Sequence, residues 1–448
     1  MPERIIIKNT QSPGDLIVLT AAIRDISLAC PGKFEFMINT SAPQVFANNP
    51  YLKNFPRAGA KEIKANYPLI HRCNQERRHF IWGFLEDLNH QLQVNAPLTD
   101  LKPDLHLTPA EKEPFKDIPR PYWVMVSGGK LDFTAKWWHP KYWQKVVDNI
   151  AKDRTVVQVG SSGHQHPKLK NVRDMVGKTT MRDLFRLIYH AEGVMCVVTC
   201  LMHIAAAFNK PVVCVAGGRE PWWWEAYTAE TRLMNMRHSN PGWQDPNDGY
   251  VSQKYLHTMG RLACCQDKGC WKSHVGKSRG SLCTAQTTVD GVTIPRCMQM
   301  ITADCVIQAV RDYWVGNQQH VTEPSPAVTL PDIYTIAGSE FVEKIQKVNE
   351  IAQPWVAFSQ NVLSQEVISK MQRETLGIDS LGCWYKLQNG KYVPSMKLFG
   401  ARTEHIKAVC ATSKPGSLEE FGARLGEYLR TNTLTWKDLG TLTLKMES

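Results

Sequence analysis

The sequence lacks any long uninterrupted hydrophobic run, although 43% of its 448 residues are hydrophobic. Its most apolar region, Val194–Gly217, is broken by polar side chains and falls short of the ~18–20 apolar residues that cross a membrane. The first residues also lack a basic segment followed by an apolar core, which is the pattern of a secretory signal. Both absences favour a cytoplasmic protein, in which thiols stay reduced.

Disordered and collagen-like chains are also excluded, because a charged fraction of 21% with this hydrophobic content is typical of globular proteins. The length suits two to four domains of roughly 100–200 residues each. The 53 Lys+Arg exceed the 42 Asp+Glu, which gives a net charge of +11. Nucleic acid, an anionic membrane surface, a phosphorylated small molecule and a merely solvated basic surface are all compatible with this excess.

Short β-branched runs alternate with helical periodicity over the first half of the chain. The strand at Ile5–Ile7 is followed by a glycine-containing loop and by a helix over Asp15–Ala29. A second series begins with the strand Tyr122–Val126 and continues through further strands and helices to about Gly217. Two such series predict two facing, doubly wound α/β domains, with ligands at the carboxyl ends of the strands.

The first candidate segment is Lys8–Arg24. Gly14 lets the backbone approach a ligand, and Asp15 stands where the helix starts. A carboxylate at this position is commonly only a helix cap, and the alternative is a general base that faces the cleft. Lys8, at the start of the segment, is included as a substrate-binding candidate.

Two later segments offer groups for a diphosphate. Ser127–Trp138 places Lys136 and the hydroxyl of Thr134 on a loop after a strand, although most loops of this composition bind nothing. Val197–Gly218 contains a small-residue helix whose first turn holds His203. Free N–H groups at such a helix end bind diphosphate, and the alternative is a satisfied core histidine. The candidates of this segment are Thr199, Leu201, Met202, His203 and Gly218.

In order and spacing, these three segments resemble the bacterial heptosyltransferases of glycosyltransferase family 9, over about residues 4–230. Two positions depart from the family's donor motif: Val198 replaces an Asp that helps to hold the nucleotide sugar, and Cys200 replaces a Gly. The positions that match are Gly14, Asp15, Thr20, Ala21, Ala22, Arg24, Thr134, Lys136, Trp138, Thr199, His203, Ala205, Ala206, Ala207, Pro211 and Gly217.

The resemblance implies a GT-B fold, with an acceptor-side domain over residues 1–117 and a nucleotide-sugar donor domain over residues 118–260. It implies an inverting transfer in which Asp15 removes the proton of an acceptor hydroxyl. Lys136, Thr134 and the helix near Leu201 would then stabilise the departing diphosphate without a catalytic metal. By resemblance the donor is ADP-heptose, and the acceptor is a cell-envelope glycan or a protein. Peripheral contact with an anionic inner membrane and a homo-oligomer are compatible with it.

A compact thiol group lies in Arg261–Cys297, a region without periodicity and with a net charge of +4. Four thiolates suit one structural zinc or iron ion, and nearby positive charge favours the thiolate form. The alternative is a set of buried thiols. Autotransporter-glycosylating heptosyltransferases carry a four-cysteine iron site in a similar place. The candidate ligands are Cys264, Cys265, Cys270, Cys283 and Cys297, of which the adjacent first two are not expected to bind together.

The remaining boundaries follow from composition. Residues 261–316 form the Cys-rich module and a return helix, 317–331 a linker, and 332–448 a C-terminal α+β domain of unknown role that contains a hairpin turn at Asn389-Gly390. Trp222–Trp224 are aromatics that either stack on a ligand or pack between domains. The competing functional hypothesis is a non-catalytic nucleotide- or nucleic-acid-binding protein with a zinc-knuckle-like module.

Overall fold

The structure is a computed structural model that describes residues 2–131, 134–246, 248–276 and 280–316, and the backbone of four strands beyond them. The chain divides into two compact units, Met1–Thr258 with Gly269–Pro326 and Met259–Lys268 with Ala327–Ser448. The predicted linker 317–331 and most of the predicted C-terminal domain lie outside the described residues.

The first sheet is parallel and has three strands. β1 (Glu3–Asn9) lies between β2 (Phe34–Thr40) and β3 (Lys61–Lys64), and the isoleucine run of β1 is fully buried. Helix α1 (Pro13–Ala29) follows β1 directly and packs against α2 (Phe80–Leu92). The loop between β1 and α1 therefore lies at the carboxyl edge of this sheet, where ligands bind in α/β proteins.

The second sheet has six parallel strands in the order β6-β5-β4-β7-β8-β9. The order reverses between β4 and β7, so the carboxyl ends of these two strands flank a topological switch point. Because crossovers between parallel strands are generally right-handed, the helices on either side of this point are expected on opposite faces of the sheet. The strands are β4 (Tyr122–Val126), β5 (Thr155–Gln158), β6 (Arg173–Asp174), β7 (Gly193–Val197), β8 (Val212–Gly217) and β9 (Lys254–His257).

Some helices of this region begin at a side-chain cap, as at His139, Thr180 and Thr228. Thr180 and Asp183 exchange side-chain and backbone hydrogen bonds at the start of α4, at 3.0 and 3.1 Å. The Trp138 indole donates to the Ile301 carbonyl at 2.9 Å, next to α9, which packs on α3. The helices are α3 (Pro140–Ile150), α4 (Met181–His190), α5 (Cys200–Ala207), α6 (Trp222–Glu225), α7 (Ala229–Ser239), α8 (Arg296–Gln299) and α9 (Ala303–Gly316).

The remaining strands are antiparallel. β10 (Gln286–Val289) and β11 (Val292–Pro295) form a hairpin within the Cys-rich region. In the second unit a four-stranded sheet contains the predicted hairpin, with Gln388 opposite Lys391 and two residues between them. Its strands are β12 (Gly377–Ile378), β13 (Trp384–Gln388), β14 (Lys391–Leu398) and β15 (Leu442–Lys445).

The predicted α/β class with parallel sheets is confirmed. The sequence did not reveal β3, β6 and β9, because these strands are only two to four residues long and lack a continuous apolar run. Among the described helices, none combines the length and the hydropathy that a membrane crossing requires.

Candidate functional site

The carboxyl edge of the first sheet presents Asp15. This residue lies in the first turn of α1, where its Oδ2 accepts a hydrogen bond from the Ser12 amide at 3.0 Å. The carboxylate therefore does cap the helix. The cap uses only part of the hydrogen-bonding capacity of the carboxylate, because its two oxygens offer about four lone-pair sites.

The Asp15 carboxyl is partly desolvated and surrounded by charge. Burial and then the charge of Glu225 raise the pKa of Asp15 to about 6, while hydrogen bonds from Ser12 and Tyr67 and the charge of Lys136 act in the opposite direction. At neutral pH the group is mostly ionised, yet it is a stronger base than an ordinary aspartate. These properties suit a residue that removes a proton from a substrate.

Tyr67 is held beside Asp15 by aromatic contacts. Its ring meets Phe80 and Phe84 edge-on, at centroid distances of 4.8 and 5.1 Å. Burial and the neighbouring carboxylate raise the pKa of the Tyr67 hydroxyl, which therefore stays protonated and donates to Asp15. No sequence pattern indicated Tyr67, which stands alone in a loop far from Asp15 in the chain.

Lys136 lies at the carboxyl edge of the second sheet, in a 3₁₀ turn between β4 and α3. Its Nζ is 2.9 Å from Glu220 Oε1 and donates to the Val198 carbonyl at 3.5 Å. Because Val198 follows β7, this contact joins the two loops that flank the switch point. Burial and then the charge of Arg219 lower the pKa of Lys136 to about 8, so the side chain is a cation at neutral pH.

His203 is buried on α5, and its Nδ1 lies 2.8 Å from the Tyr227 hydroxyl. Within the described residues, this nitrogen is the one acceptor for the Tyr227 proton, so the neutral ring carries its own proton on Nε2. Burial and then the charge of Lys136 lower the pKa of His203 to about 3. His203 is therefore a neutral hydrogen-bond donor at neutral pH.

The two sheet edges meet around Gly14. A Cβ at this position would lie 3.5 Å from the His203 ring and 3.6 Å from Cys200, so the glycine lets the first loop approach the start of α5. From the loop after β4, Lys130 reaches the Ser12 hydroxyl and donates to it at 2.9 Å. The predicted base, lysine clamp and histidine are thus parts of one site.

The start of α5 supplies further polar groups to this site. Thr199 is the N-cap, and its buried hydroxyl has no hydrogen-bond partner within the part of the chain that the structure describes. Leu201 and Met202 have buried side chains. The Met202 amide donates to the Thr199 carbonyl at 3.3 Å, so the Leu201 amide is the group that this turn offers. Gly218 lies in the loop after β8, where its carbonyl accepts the Cys270 amide at 3.2 Å.

For three residues of the sequence motifs, the structure shows no side chain that contributes to this site. The ammonium of Lys8 pairs with Glu62 on the adjacent strand β3, and both side chains are nearly half exposed. The backbone of Thr134 lies in the turn with Lys136, and its side chain lies outside the described residues. Arg24 is buried, where it binds Asp25 and two backbone carbonyls and acts as a structural residue.

The tryptophans of α6 pack inside the protein. The Trp223 indole donates to the Cys73 carbonyl at 2.7 Å, and the Trp224 ring lies 5.3 Å from Phe80. All three tryptophans are buried, and the Trp222 ring stacks on His257 of β9 at a centroid distance of 6.4 Å. Of the two alternatives, the contacts favour packing between the α/β regions over stacking on a ligand.

The predicted thiol ligands fall into both units. Cys270, Cys283 and Cys297 belong to the first, whereas Cys264 and Cys265 belong to Met259–Lys268 of the second. In the portion that the structure describes, no three or more His, Cys, Asp or Glu side chains are grouped to hold a metal ion. The four-thiolate site therefore stays a prediction from the sequence.

Comparison with known families decides the class of enzyme. Residues 50–245, somewhat less than half of the chain, match the model of glycosyltransferase family 9 (heptosyltransferase). The protein is a glycosyltransferase. The matched range of this glycosyltransferase contains Lys136 and His203 and begins after Asp15.

Solved heptosyltransferases are similar at low identity. The dodecameric, iron-containing TibC from enterotoxigenic E. coli H10407 is 16% identical, with 72% of this chain and 81% of that chain covered and a TM-score of 0.48. E. coli ADP-heptose LPS heptosyltransferase II is 12% identical, with 71% and 100% covered and a TM-score of 0.43. A family 9 glycosyltransferase from Veillonella parvula DSM 2008 is 13% identical, with 70% and 97% covered and a TM-score of 0.44. Curated protein sequences give no significant match to this glycosyltransferase.

Proposed function

We propose that this glycosyltransferase transfers a sugar, with inversion of configuration, from a nucleoside diphosphate donor to an acceptor hydroxyl. The proposal rests on one observation: a carboxylate at one sheet edge and a cation at the other belong to the same site. Asp15 is a carboxylate whose pKa is raised to about 6, and Lys136 is a buried cation whose charge acts on it. A proton acceptor beside a diphosphate-binding cation is what this transfer needs.

In the proposed reaction the Asp15 carboxylate accepts the proton of the acceptor hydroxyl. The oxygen attacks the anomeric carbon from the face opposite the leaving group. The bond between that carbon and the phosphate oxygen breaks, and its electron pair leaves with the diphosphate. Lys136, the Nε2–H of His203 and the amides at the start of α5 stabilise the new negative charge, because they are already oriented before the reaction begins.

The donor we propose is ADP-heptose, because the matching family is that of the heptosyltransferases. Val198 differs from the family at this position, because its side chain is apolar and the group that contacts Lys136 is its backbone carbonyl. The family's Asp at this position would supply a carboxylate that helps to hold the nucleotide sugar. We therefore propose that Thr199, whose hydroxyl is buried and unpartnered among the described residues, takes over one of these contacts.

The acceptor we propose is a hydroxyl of a cell-envelope glycan or of a protein, reached from the cytoplasm. The charge of +11 suits an anionic acceptor or a peripheral contact with an anionic membrane surface. A homo-oligomer belongs to the same proposal. A zinc or iron ion on the Cys-rich region is proposed from the spacing of its cysteines, and no reaction step depends on it.

A donor screen with Asp15→Asn tests the function. The parent protein should be stabilised against heat by one of the ADP-, GDP-, UDP- or CMP-sugars, and should consume that sugar when an acceptor is present. Asp15→Asn keeps the hydrogen bond from Ser12, so the cap survives. It should bind the donor within about threefold of the parent and lose at least about 10³-fold in kcat.

A matched control is Asp183→Asn, which alters the equivalent cap of α4 at a distance from the site. This variant should keep its turnover. Unchanged turnover in Asp15→Asn would remove Asp15 as the base. Salt-dependent binding of DNA or RNA that survives Asp15→Ala, without donor binding, would favour the nucleic-acid-binding alternative.

A further inference from the structure

Glu220 is the acidic partner of the lysine clamp. It follows β8 in the loop Gly218–Pro221, and only 2% of its surface is exposed. Its Oε1 lies 2.9 Å from Lys136 Nζ, and Arg219 contacts the same oxygen. Two cations thus share one buried carboxylate, which leaves this group of three side chains with one net positive charge.

The loop that carries Glu220 is held by the segment Gly269–Lys272 of the Cys-rich region. The Arg219 Nε donates to the Lys272 carbonyl at 2.8 Å, and the Trp271 amide donates to the Arg219 carbonyl at 2.8 Å. The Arg219 guanidinium also lies 5.7 Å from the centre of the Trp271 ring. These contacts fix Arg219 from three directions.

Gly269 brings this segment close enough to do so. Its amide and carbonyl bind the side chain of Asn74 at 2.9 and 3.3 Å. A Cβ on Gly269 would lie 2.5 Å from Pro221 and 2.8 Å from the Arg219 carbonyl oxygen. Any larger residue at position 269 must therefore displace the loop that carries Glu220.

We propose that Glu220 is a positioning residue that orients Lys136 and keeps it charged, and that Gly269–Lys272 holds Glu220 in place through Arg219. This gives the Cys-rich region a task in donor binding that is separate from any metal. The inference rests on the proposed function, because it assigns Lys136 to the diphosphate. The inference concerns the protein without donor, in which the Glu220 carboxylate pairs with the Lys136 ammonium before a diphosphate binds.

The electrostatic consequence follows from the groups around Lys136. Arg219 opposes its protonation, whereas Glu225, Asp15 and the paired Glu220 favour it. The buried Cys214 thiol also faces the lysine and stays neutral, because burial raises its pKa well above the ordinary value. Removing the charge of Glu220 leaves two buried cations beside each other, so Lys136 should release its proton at a lower pH.

Glu220→Gln tests the link. With the donor sugar as substrate, kcat/KM at pH 7.5 should fall about tenfold to hundredfold, mainly through a higher KM. The pH at which kcat/KM declines on the alkaline side of its pH profile, the alkaline limb, should move down by about one unit. Glu220→Asp keeps the charge and should retain the alkaline limb. A Glu220→Gln variant that is folded and matches the parent in both quantities would overturn the proposal.

The matched control is Glu192→Gln. Glu192 pairs with Arg154 at 2.7 Å and lies at the opposite edge of the same sheet, before β7. It should lose stability without moving the alkaline limb. If Glu220→Gln does not fold, the charge-balanced variant Arg219→Met/Glu220→Gln is measured instead. It should shift KM, and an unshifted KM would overturn the proposal.

A second readout separates this proposal from the proposed function. Lys136 is acylated with a small amine-reactive reagent at a series of pH values from 6 to 10, and the extent of acylation is measured by mass spectrometry. Because only the neutral amine reacts, the extent reports the protonation of Lys136 without any substrate. The midpoint should lie lower in Glu220→Gln than in the parent, whether or not sugar transfer is found. Identical midpoints would overturn the proposal even if the transfer activity is confirmed.

The role of Gly269 is tested by comparing Gly269→Ala with Gly163→Ala. A Cβ on Gly163 would meet nothing within 4 Å, so that substitution is the neutral control. Gly269→Ala should raise the donor KM about tenfold, as Glu220→Gln does, although it lies outside the phosphate site. Equal KM values for the two alanine variants would refute the part assigned to Gly269–Lys272.

Discussion

The carboxyl edges of the two sheets present side chains of opposite charge. At the first edge one carboxylate, Asp15, is held by its own helix and by a single tyrosine, and burial makes it a better base. At the second edge a cation, Lys136, is held by groups from several loops, and burial weakens its hold on its proton. The proposed base is capped by its own helix and contacts one residue that is distant in the chain, whereas the proposed clamp is assembled from several loops.

This difference predicts how each edge responds to change. The Asp15 edge should respond most strongly to changes in its own carboxylate and less to changes in its neighbours. An assembled device fails from a distance, through any loop that supports it. The charges of Asp15 and Lys136 nevertheless act on each other, so the two devices are not independent.

After Asp15→Asn, the largest expected effect is that of Lys136→Met. Loss of the cation should lower kcat/KM by about 10²–10³-fold, because developing diphosphate charge loses a preorganised partner. It should also raise the pKa of Asp15, which Lys136 lowers, so the acidic limb of the remaining activity should move to higher pH. An acidic limb that stays in place, measured by steady-state kinetics, would show that the two edges are electrically separate.

The pH profile of the parent enzyme sharpens the same comparison. The proposed reaction needs the ionised form of Asp15 and the protonated form of Lys136. With pKa values of about 6 and about 8, kcat/KM should be bell-shaped and fall about tenfold per unit beyond either limb. A profile that is flat from pH 5 to 9 would contradict both assignments.

A smaller effect is expected for Tyr67→Phe, which removes the hydrogen bond to Asp15 and little else. That bond lowers the pKa of Asp15, so without it the acidic limb should rise by about half to one pH unit, with a several-fold loss of kcat/KM at pH 6. Tyr122→Phe, which removes a hydroxyl bonded to the Leu187 carbonyl at 2.8 Å, is the control and should leave the limb in place.

The smallest effect on the pH profile is expected for Tyr227→Phe. Without the Tyr227 hydroxyl, Nδ1 of His203 loses its donor, and the ring can carry its proton on either nitrogen. We expect a loss of about threefold to tenfold in kcat/KM, with the limbs unmoved, since His203 stays neutral throughout the working range. A new titration in the profile would mean that His203 ionises during turnover.

The same contrast explains what the sequence could reveal. The parallel α/β architecture and Asp15 were predictable, because a strand, a glycine loop and a capping carboxylate are adjacent in the chain. Lys136 and His203 were singled out because three segments, in order and spacing, resemble a known family, and their roles stay predictions. Glu220, Tyr67 and Tyr227 were not, because tertiary contacts alone give them a partner. Glu220 did carry one signal, an acidic side chain directly after a strand that ends at the cleft.

Ser12 has a consequence for anyone who redesigns this enzyme. Its amide holds the Asp15 carboxylate, and its hydroxyl receives Lys130 from the loop after β4. In the proposed function, Ser12 therefore connects the region that binds the donor to the carboxylate that activates the acceptor. Grafting a new donor loop onto this scaffold changes the base as well, so specificity and rate must be re-optimised together.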